Sequence, residues 1–215
     1  MRNVKTWMLA SVLMAGCGLS VQAQAEVNIG FKYDYTKYSD SGSNYNGDIT
    51  LNQYYATLGA SNEFSEAYLA LGAANLKSDY RDDALSINDS QSGLLYGVGT
   101  RLFTELESGL RPSIDVFYSV NDFDSVNVNA FDITPEMGYV INMQNDMQLI
   151  PSAGLKYQHL KLEYDLPGDL EESINATSGV VALTLQSQSV PLFARIGGSF
   201  GSDMNTFSFQ INYGF

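Results

Sequence analysis

Between Leu110 and Val120 the chain reads LRPSIDVFYSV. Leu110, Pro112, Ile114, Val116, Tyr118 and Val120 fall on even positions, and Arg111, Ser113, Asp115, Phe117 and Ser119 on odd ones. A helix needs apolar residues at i, i+3 and i+4, and Ser113 interrupts that face. An extended strand instead turns the two sets to opposite sides. The stretch therefore predicts a strand with one apolar and one mostly polar face.

The same period runs outward in both directions. Phe131, Ile133, Pro135, Met137, Tyr139 and Ile141 share one parity, as do Val27, Ile29, Phe31, Tyr33 and Tyr35. Leu149, Pro151, Ala153, Leu155 and Tyr157 repeat it, and Phe207, Phe209, Ile211, Tyr213 and Phe215 close the chain in the same manner. Weaker runs lie at 49–60, 67–77, 93–103, 177–186 and 190–200. In 67–77 Ala and Gly dilute both faces. The reading predicts ten strands of about ten residues, enough to cross a bilayer when tilted by about 45°. The connections alternate in length. Residues 40–48, 79–91, 122–129 and 165–176 are long and rich in Asp, Ser, Asn and Gly, whereas 61–66, 104–109, 142–146 and 187–189 are short. Long loops at one end and short turns at the other fit an up-and-down meander.

The chain has 215 residues, a net charge of -13, and 16% charged residues. Such an acidic balance argues against nucleic acid, whose phosphates attract Lys and Arg, and against a polybasic membrane-surface protein. Residues 1–25 read as a cleaved secretory signal: Arg2 and Lys5 open it, Trp7–Leu19 is apolar, and Ala23-Gln24-Ala25 offers a small-residue cleavage site. A retained N-terminal anchor and lipidation at Cys17 are the competing readings. Cleavage removes two cations and no acid, so the mature charge becomes -13 − 2 = -15. It also removes the single Cys. Residues 26–215 then form one domain without disulfide staples.

A soluble β-sandwich alternates in the same way. Two features favour a transmembrane barrel. The polar face carries charges of both signs at mid-strand, and the apolar face ends in rings such as Tyr33, Tyr35, Tyr118, Phe131, Tyr139, Tyr157 and Tyr213. Rings suit the headgroup zone, where one edge is wet and the other dry. Inside lipid every backbone N–H and C=O needs a partner, so an open sheet edge is excluded and the first and last strands must pair. The predicted fold is all-β: a closed antiparallel up-and-down transmembrane β-barrel of ten strands, with eight as the second count and both termini at the short-turn end.

The last segment, FSFQINYGF, resembles the terminal strand of Gram-negative outer-membrane β-barrel proteins, which ends in Phe after apolar residues at every second position. The resemblance implies an outer-membrane location, contact with outer-membrane lipid and lipopolysaccharide, and reading of Phe207, Phe209, Ile211, Tyr213 and Phe215 by the barrel-assembly machinery. The small relatives it suggests are of the OmpA, OmpW and opacity type, which have eight strands, or YfaZ-like.

Inside such a barrel the polar faces meet. Lys32, Asp34, Arg101, Arg111, Asp115, Asp132, Glu136, Lys156 and Arg195 are expected to form a charge network filling the lumen. Lys32, Asp115, Glu136 and Arg195 make one layer, with Asp132 and Lys156 a second layer deeper in, while Arg111 sits near the rim. A filled lumen is preferred to a narrow pore, because open aqueous channels are typical of about 16 strands. The resulting function is a monomeric structural or narrow porin-like barrel. The alternatives are surface binding or adhesion through acidic extracellular loops and, below it, an outer-membrane lipid hydrolase. His159 is the one histidine. Lys161 occupies the place of Ser in the His-x-Ser pattern of lipid A deacylases, and Gln158 that of Asp in the Asp-His pair of outer-membrane aspartyl proteases. No convergent catalytic set emerges, so no enzyme is expected. No calcium-loop spacing or phosphate-cradling Gly loop appears, so no metal or cofactor is expected.

Overall fold

The alternating segments pair into one sheet that bends back on itself. The computed structural model describes residues 26–41, 45–82, 85–164, 171–187 and 189–215. The expected signal segment 1–25, with Cys17, lies outside the described residues, as do 42–44, 83–84 and 165–170 of the expected long loops. The strands are β1 (Glu26–Ser41), β2 (Tyr45–Ser61), β3 (Ser65–Asp82), β4 (Leu85–Phe103), β5 (Leu110–Asp122), β6 (Val126–Tyr139), β7 (Ile141–Asn142), β8 (Met147–Tyr164), β9 (Glu171–Ser187), β10 (Leu192–Phe200) and β11 (Met204–Gly214). The two residues of β7 continue the wall of β6 along β8. Ten long strands thus form the ring, and the eight-strand count is set aside. β1 pairs with β11 from Asn28↔Gly214 to Tyr38↔Met204, and β6 with β8, so the ring has no open edge.

The short turns follow from their residues. Between β2 and β3, Asn62 Oδ1 accepts from the backbone N–H of Phe64 and Ser65 at 2.9 and 2.8 Å, which closes the turn with a side chain. Before β8, Asn145 and Asp146 take φ of 61° and 57°, a region these two side chains tolerate better than most.

Along β8, Leu149, Ala153, Leu155 and Tyr157 point outward, and Ser152, Gly154, Lys156 and Gln158 inward. Around the ring the outward set includes Ile29, Phe31, Leu58, Leu69, Leu71, Leu94, Leu102 and Val181, all exposed. A continuous apolar belt this large is not tolerated in water and needs a hydrocarbon surround.

The strands are longer than the sequence suggested. β3 and β8 each have 18 residues and β4 has 19. An 18-residue strand spans about 60 Å, or roughly 45 Å along the axis at a tilt of about 40°, against a lipid-facing band of about 25 Å. The surplus is at the end away from the short turns. There the expected loops 122–129 and 165–176 are partly strand, since β6 starts at Val126 and β9 at Glu171. The expected loop 79–91 is likewise strand from Leu85 onward.

In this surplus the two faces exchange chemistry. Above Tyr157, β8 turns His159 and Lys161 outward and Leu160 and Leu162 inward. In β6, Asn127 and Asn129 face out while Val126, Val128 and Ala130 are buried inside. In β3, Asn75 and Lys77 face out and Leu76 in. The apolar interior formed by Leu51, Leu76, Val126, Val128, Leu160, Leu162 and Ile174 is one continuous cluster. The upper part of the barrel is therefore a collar with a dry inside and a polar outside, as in a water-soluble protein.

Gly154 is the tightest point in β8. It faces inward across from Glu136, and a Cβ there would run into the Pro135 carbonyl oxygen and the Glu136 backbone. Gly154→Val is expected to lower stability by about 1–3 kcal/mol. Outward-facing Gly179, whose nearest neighbour would be 3.9 Å away, should accept Gly179→Ala almost without effect. Urea unfolding in lipid vesicles compares the two.

On the outside of the collar Lys37 holds Asp48 at 2.8 Å and Ser39 donates to it at 2.6 Å. Lys37 foremost, then Ser39, holds the Asp48 carboxyl below its ordinary value. The contribution of this pair is present above the ordinary aspartate pKa and is lost as the pH falls through the depressed one. Carboxyl NMR titration should find Asp48 below the usual value of about 3.9, and Lys37→Met should return it toward that value.

Candidate functional site

The inward faces of the strands build a lumen in three storeys. At the turn end a vestibule of about 730 Å³ opens outward, with Arg101 and Arg111 in its wall. In the middle lies a cavity of about 70 Å³. Above that lies the apolar collar core, with a cavity of about 170 Å³ among Ile49, Leu76, Val126 and Leu162.

Seven of the expected network residues surround the middle cavity: Lys32, Asp34, Asp115, Asp132, Glu136, Lys156 and Arg195. Strand parity puts them there, because each sits on the inward face of its strand. Three ion pairs organise them. Arg195 on β10 reaches across β9 and β8 to Glu136 on β6. Lys156 meets Asp132 on the neighbouring strand at 3.1 Å. Lys32 meets Asp34 two residues on in its own strand at 3.4 Å. The expected layer of Lys32, Asp115, Glu136 and Arg195 is not set apart from Asp132 and Lys156: one cavity joins all six with Asp34. Arg101 stands opposite Asp115 in the β4–β5 register.

Neutral side chains complete the arrangement. Ser152 donates to Glu136 at 2.6 Å and Arg195 also donates to Thr184 at 3.2 Å. The Tyr55 hydroxyl donates to Asp34 at 2.6 Å. Gln53 on β2 donates across the lumen to Asn121 on β5 at 2.9 Å. Beside the charges, Phe117 stacks with Tyr55 and Tyr68 at centroid separations of 5.5 and 5.9 Å. The Lys32 ammonium lies 5.2 Å from the Phe117 ring centre. These rings belong to the same apolar cluster as the collar interior.

Arg111 lies in the vestibule wall, near the rim. Its guanidinium donates to Gln186 at 2.9 Å and stands 4.3 Å from the Phe103 ring centre. Glu66 is an inward acid absent from the expected network, because 61–66 read as a turn. It accepts from Asn212 at 2.8 Å and sits opposite Arg101 in the β3–β4 register. Inward parity on β3 was the signal that identifies it. With Glu66 counted, five bases, Lys32, Arg101, Arg111, Lys156 and Arg195, face five acids, Asp34, Glu66, Asp115, Asp132 and Glu136, and Glu26, Glu63 and Glu105 line the vestibule in addition.

The charge network does not fill the whole lumen, as the sequence suggested it would; hydrocarbon occupies the upper part. His159 points outward above the apolar belt, where its Nδ1 lies 2.8 Å from Asn175. Among the described residues no group of three His, Cys, Asp or Glu side chains is placed to hold a metal. Phe207, Phe209, Ile211, Tyr213 and Phe215 all face outward.

No protein-family model matches the chain, and no curated protein matches it. Solved structures do. The β domain of the Bordetella autotransporter BrkA matches with a TM-score of 0.50 at 10% identity, covering 89% of this chain and 99% of that one. The translocator domain of the autotransporter NalP from Neisseria meningitidis gives 0.45 at 14%, covering 98% and 95%. The outer membrane protease OmpT from Escherichia coli gives 0.46 at 10%, covering 89% and 96%. The BrkA likeness agrees with the closed all-β barrel, and the fold is that of the outer-membrane barrels.

Glu136 is the most deeply buried member of the network, with a side chain 3% exposed. Glu136→Ala leaves Arg195 without its partner and is expected to cost about 3–5 kcal/mol. The double variant Glu136→Met with Arg195→Met should cost less than Glu136→Ala, since it leaves no orphaned charge. Urea midpoints in lipid vesicles give the comparison.

Proposed function

We propose that this chain is an exported bacterial outer-membrane protein whose lumen is closed, and that it acts as a structural barrel presenting its polar collar to the cell exterior. The short turns and both chain ends then face the periplasm. In this reading residues 1–25 are the cleaved signal, and the outward Phe and Tyr residues of β11 are what the barrel-assembly machinery reads. The lipid partners are membrane hydrocarbon at the belt and lipopolysaccharide at the upper aromatic ring, formed by Tyr33, Tyr54, Tyr96 and Tyr157.

The carrying observation is the apolar cluster inside the lumen, which runs from the rings beside the charges to Leu160, Leu162 and Ile174 of the collar. An ion passing the middle cavity meets Phe117, Leu95, Leu160 and Val128, all buried, and none of them can replace its hydration shell. The ion pairs below support the same reading, because matched charges hold the staves together rather than selecting a passing ion.

The collar also favours a second reading, binding or adhesion at the cell surface. The strands carry the polar rim well beyond the belt, where Asp79, Asp89, Asp122, Asp124, Glu171 and Glu172 lie. Asp40, Asp82, Asp83, Asp165 and Asp169 lie outside the residues whose side chains are described.

Planar-bilayer recording separates closed from conducting. The wild-type protein should show no stepwise current, and neither should the variant with both Glu136→Ala and Arg195→Ala, because the apolar layer remains. Stepwise, salt-dependent conductance from the wild type would overturn the closed barrel.

A further inference from the structure

The vestibule at the turn end is not used by the closed-barrel reading. Its volume, about 730 Å³, is that of an ordinary small-molecule site. Its wall carries both charges. Glu26 on β1, Glu63 in the β2–β3 turn and Glu66 on β3 lie on one flank, and Arg101 on β4 and Arg111 on β5 follow on the other, with Glu105 of the β4–β5 turn at the rim between them.

The two arginines are held but not neutralised. Among the described residues neither has a carboxylate within ion-pair distance. Arg111 is positioned by a chain of amides: it donates to Gln186, which donates to Gln148 at 2.7 Å, which donates to Asn142 at 2.9 Å. The ring of Phe103 lies against its guanidinium. Arg101 stands over Phe193 at 5.7 Å. A planar guanidinium fixed on a ring keeps its remaining N–H donors aimed at whatever enters, and its fork matches a carboxylate. On the other flank Glu66 lines the vestibule and its Oε1 accepts from Asn212. A simple anion would be repelled by exposed Glu26, Glu63 and Glu105 at the rim, and a simple cation by the arginines.

We propose that this vestibule binds a small zwitterion, an amino acid or dipeptide, with its carboxylate on Arg111 and Arg101 and its ammonium on Glu66. The site opens toward the side of the short turns, below the apolar closure, so it needs no current through the barrel and stands apart from the question of conductance. Both wall charges are used by one ligand, which an anion or a cation alone cannot do.

Calorimetric titration of the mature chain in lipid nanodiscs with L-alanyl-L-alanine tests it. Saturable binding is expected, with N-acetyl-L-alanyl-L-alanine and L-alanyl-L-alaninamide each weaker by about tenfold or more, since each lacks one charge. Arg111→Gln and Glu66→Gln should each weaken the dipeptide by a similar factor, with folding checked by circular dichroism. Arg111→Lys keeps the charge without the fork and should bind less tightly than wild type. Absence of saturable binding by the wild type overturns the proposal. So does equal binding of the acetylated peptide, which would mark a plain anion site, and so does unchanged affinity in folded Arg111→Gln.

Discussion

The structure depends on one constraint: a backbone amide in hydrocarbon has no water to bond to, so every strand must be paired on both sides. β1 meets β11 and β6 meets β8 because an open edge in the belt is excluded. Closure then creates a second requirement. A sheet wrapped into a ring has an inside, and a ring of ten strands is too wide to leave empty and too narrow for a bulk aqueous channel. The contents of that inside are set by which solvent bathes the outside.

Below the upper aromatic ring the outside is apolar, and period two sends the polar residues inward. Buried charges are costly there unless paired, and three pairs form: Arg195 with Glu136, Lys156 with Asp132, Lys32 with Asp34. Above the ring the outside is polar, and the same period sends Leu, Val and Ile inward. The switch needs no bulge or break in the ladder, as the unbroken register of β8 against β9 from Met147↔Ser187 to Glu163↔Glu171 shows. Only the residue types change.

That switch explains what the sequence made legible and what it hid. The belt strands were readable because their apolar face is continuous, as in Leu110–Val120 and Phe207–Phe215. The inward placement of Lys32, Asp132, Glu136 and Arg195 followed from parity alone. The collar was not readable in the same scan, because at Ala130-Phe131 and at Gln158-His159 the apolar residues move to the opposite parity. A search for one apolar face sees that exchange as the end of the strand, and Asn127, Asn129 and Asn175 then look like loop residues. A search for alternation regardless of phase recovers Val126, Val128, Leu160, Leu162 and Ile174. Contacts that leap across the lumen, such as Gln53 to Asn121 and Asn212 to Glu66, carry no local signal, since they depend on barrel closure.

The collar also bears on how the charges below it are kept. A buried ion pair in a lumen open at both ends would exchange with solvent ions, and its attraction would be screened within about one Debye length, some 8 Å in physiological salt. Flanked by the stacked rings of Tyr55, Phe117 and Tyr68, the inner part of the network borders hydrocarbon. Screening is therefore uneven: Arg111 and Arg101 line the open vestibule, while Lys156–Asp132 and Lys32–Asp34 surround the inner cavity. The apolar collar core thus does more than stabilise the exposed staves. It lowers the effective dielectric over the innermost charges, which strengthens each matched pair and makes an unmatched one costly.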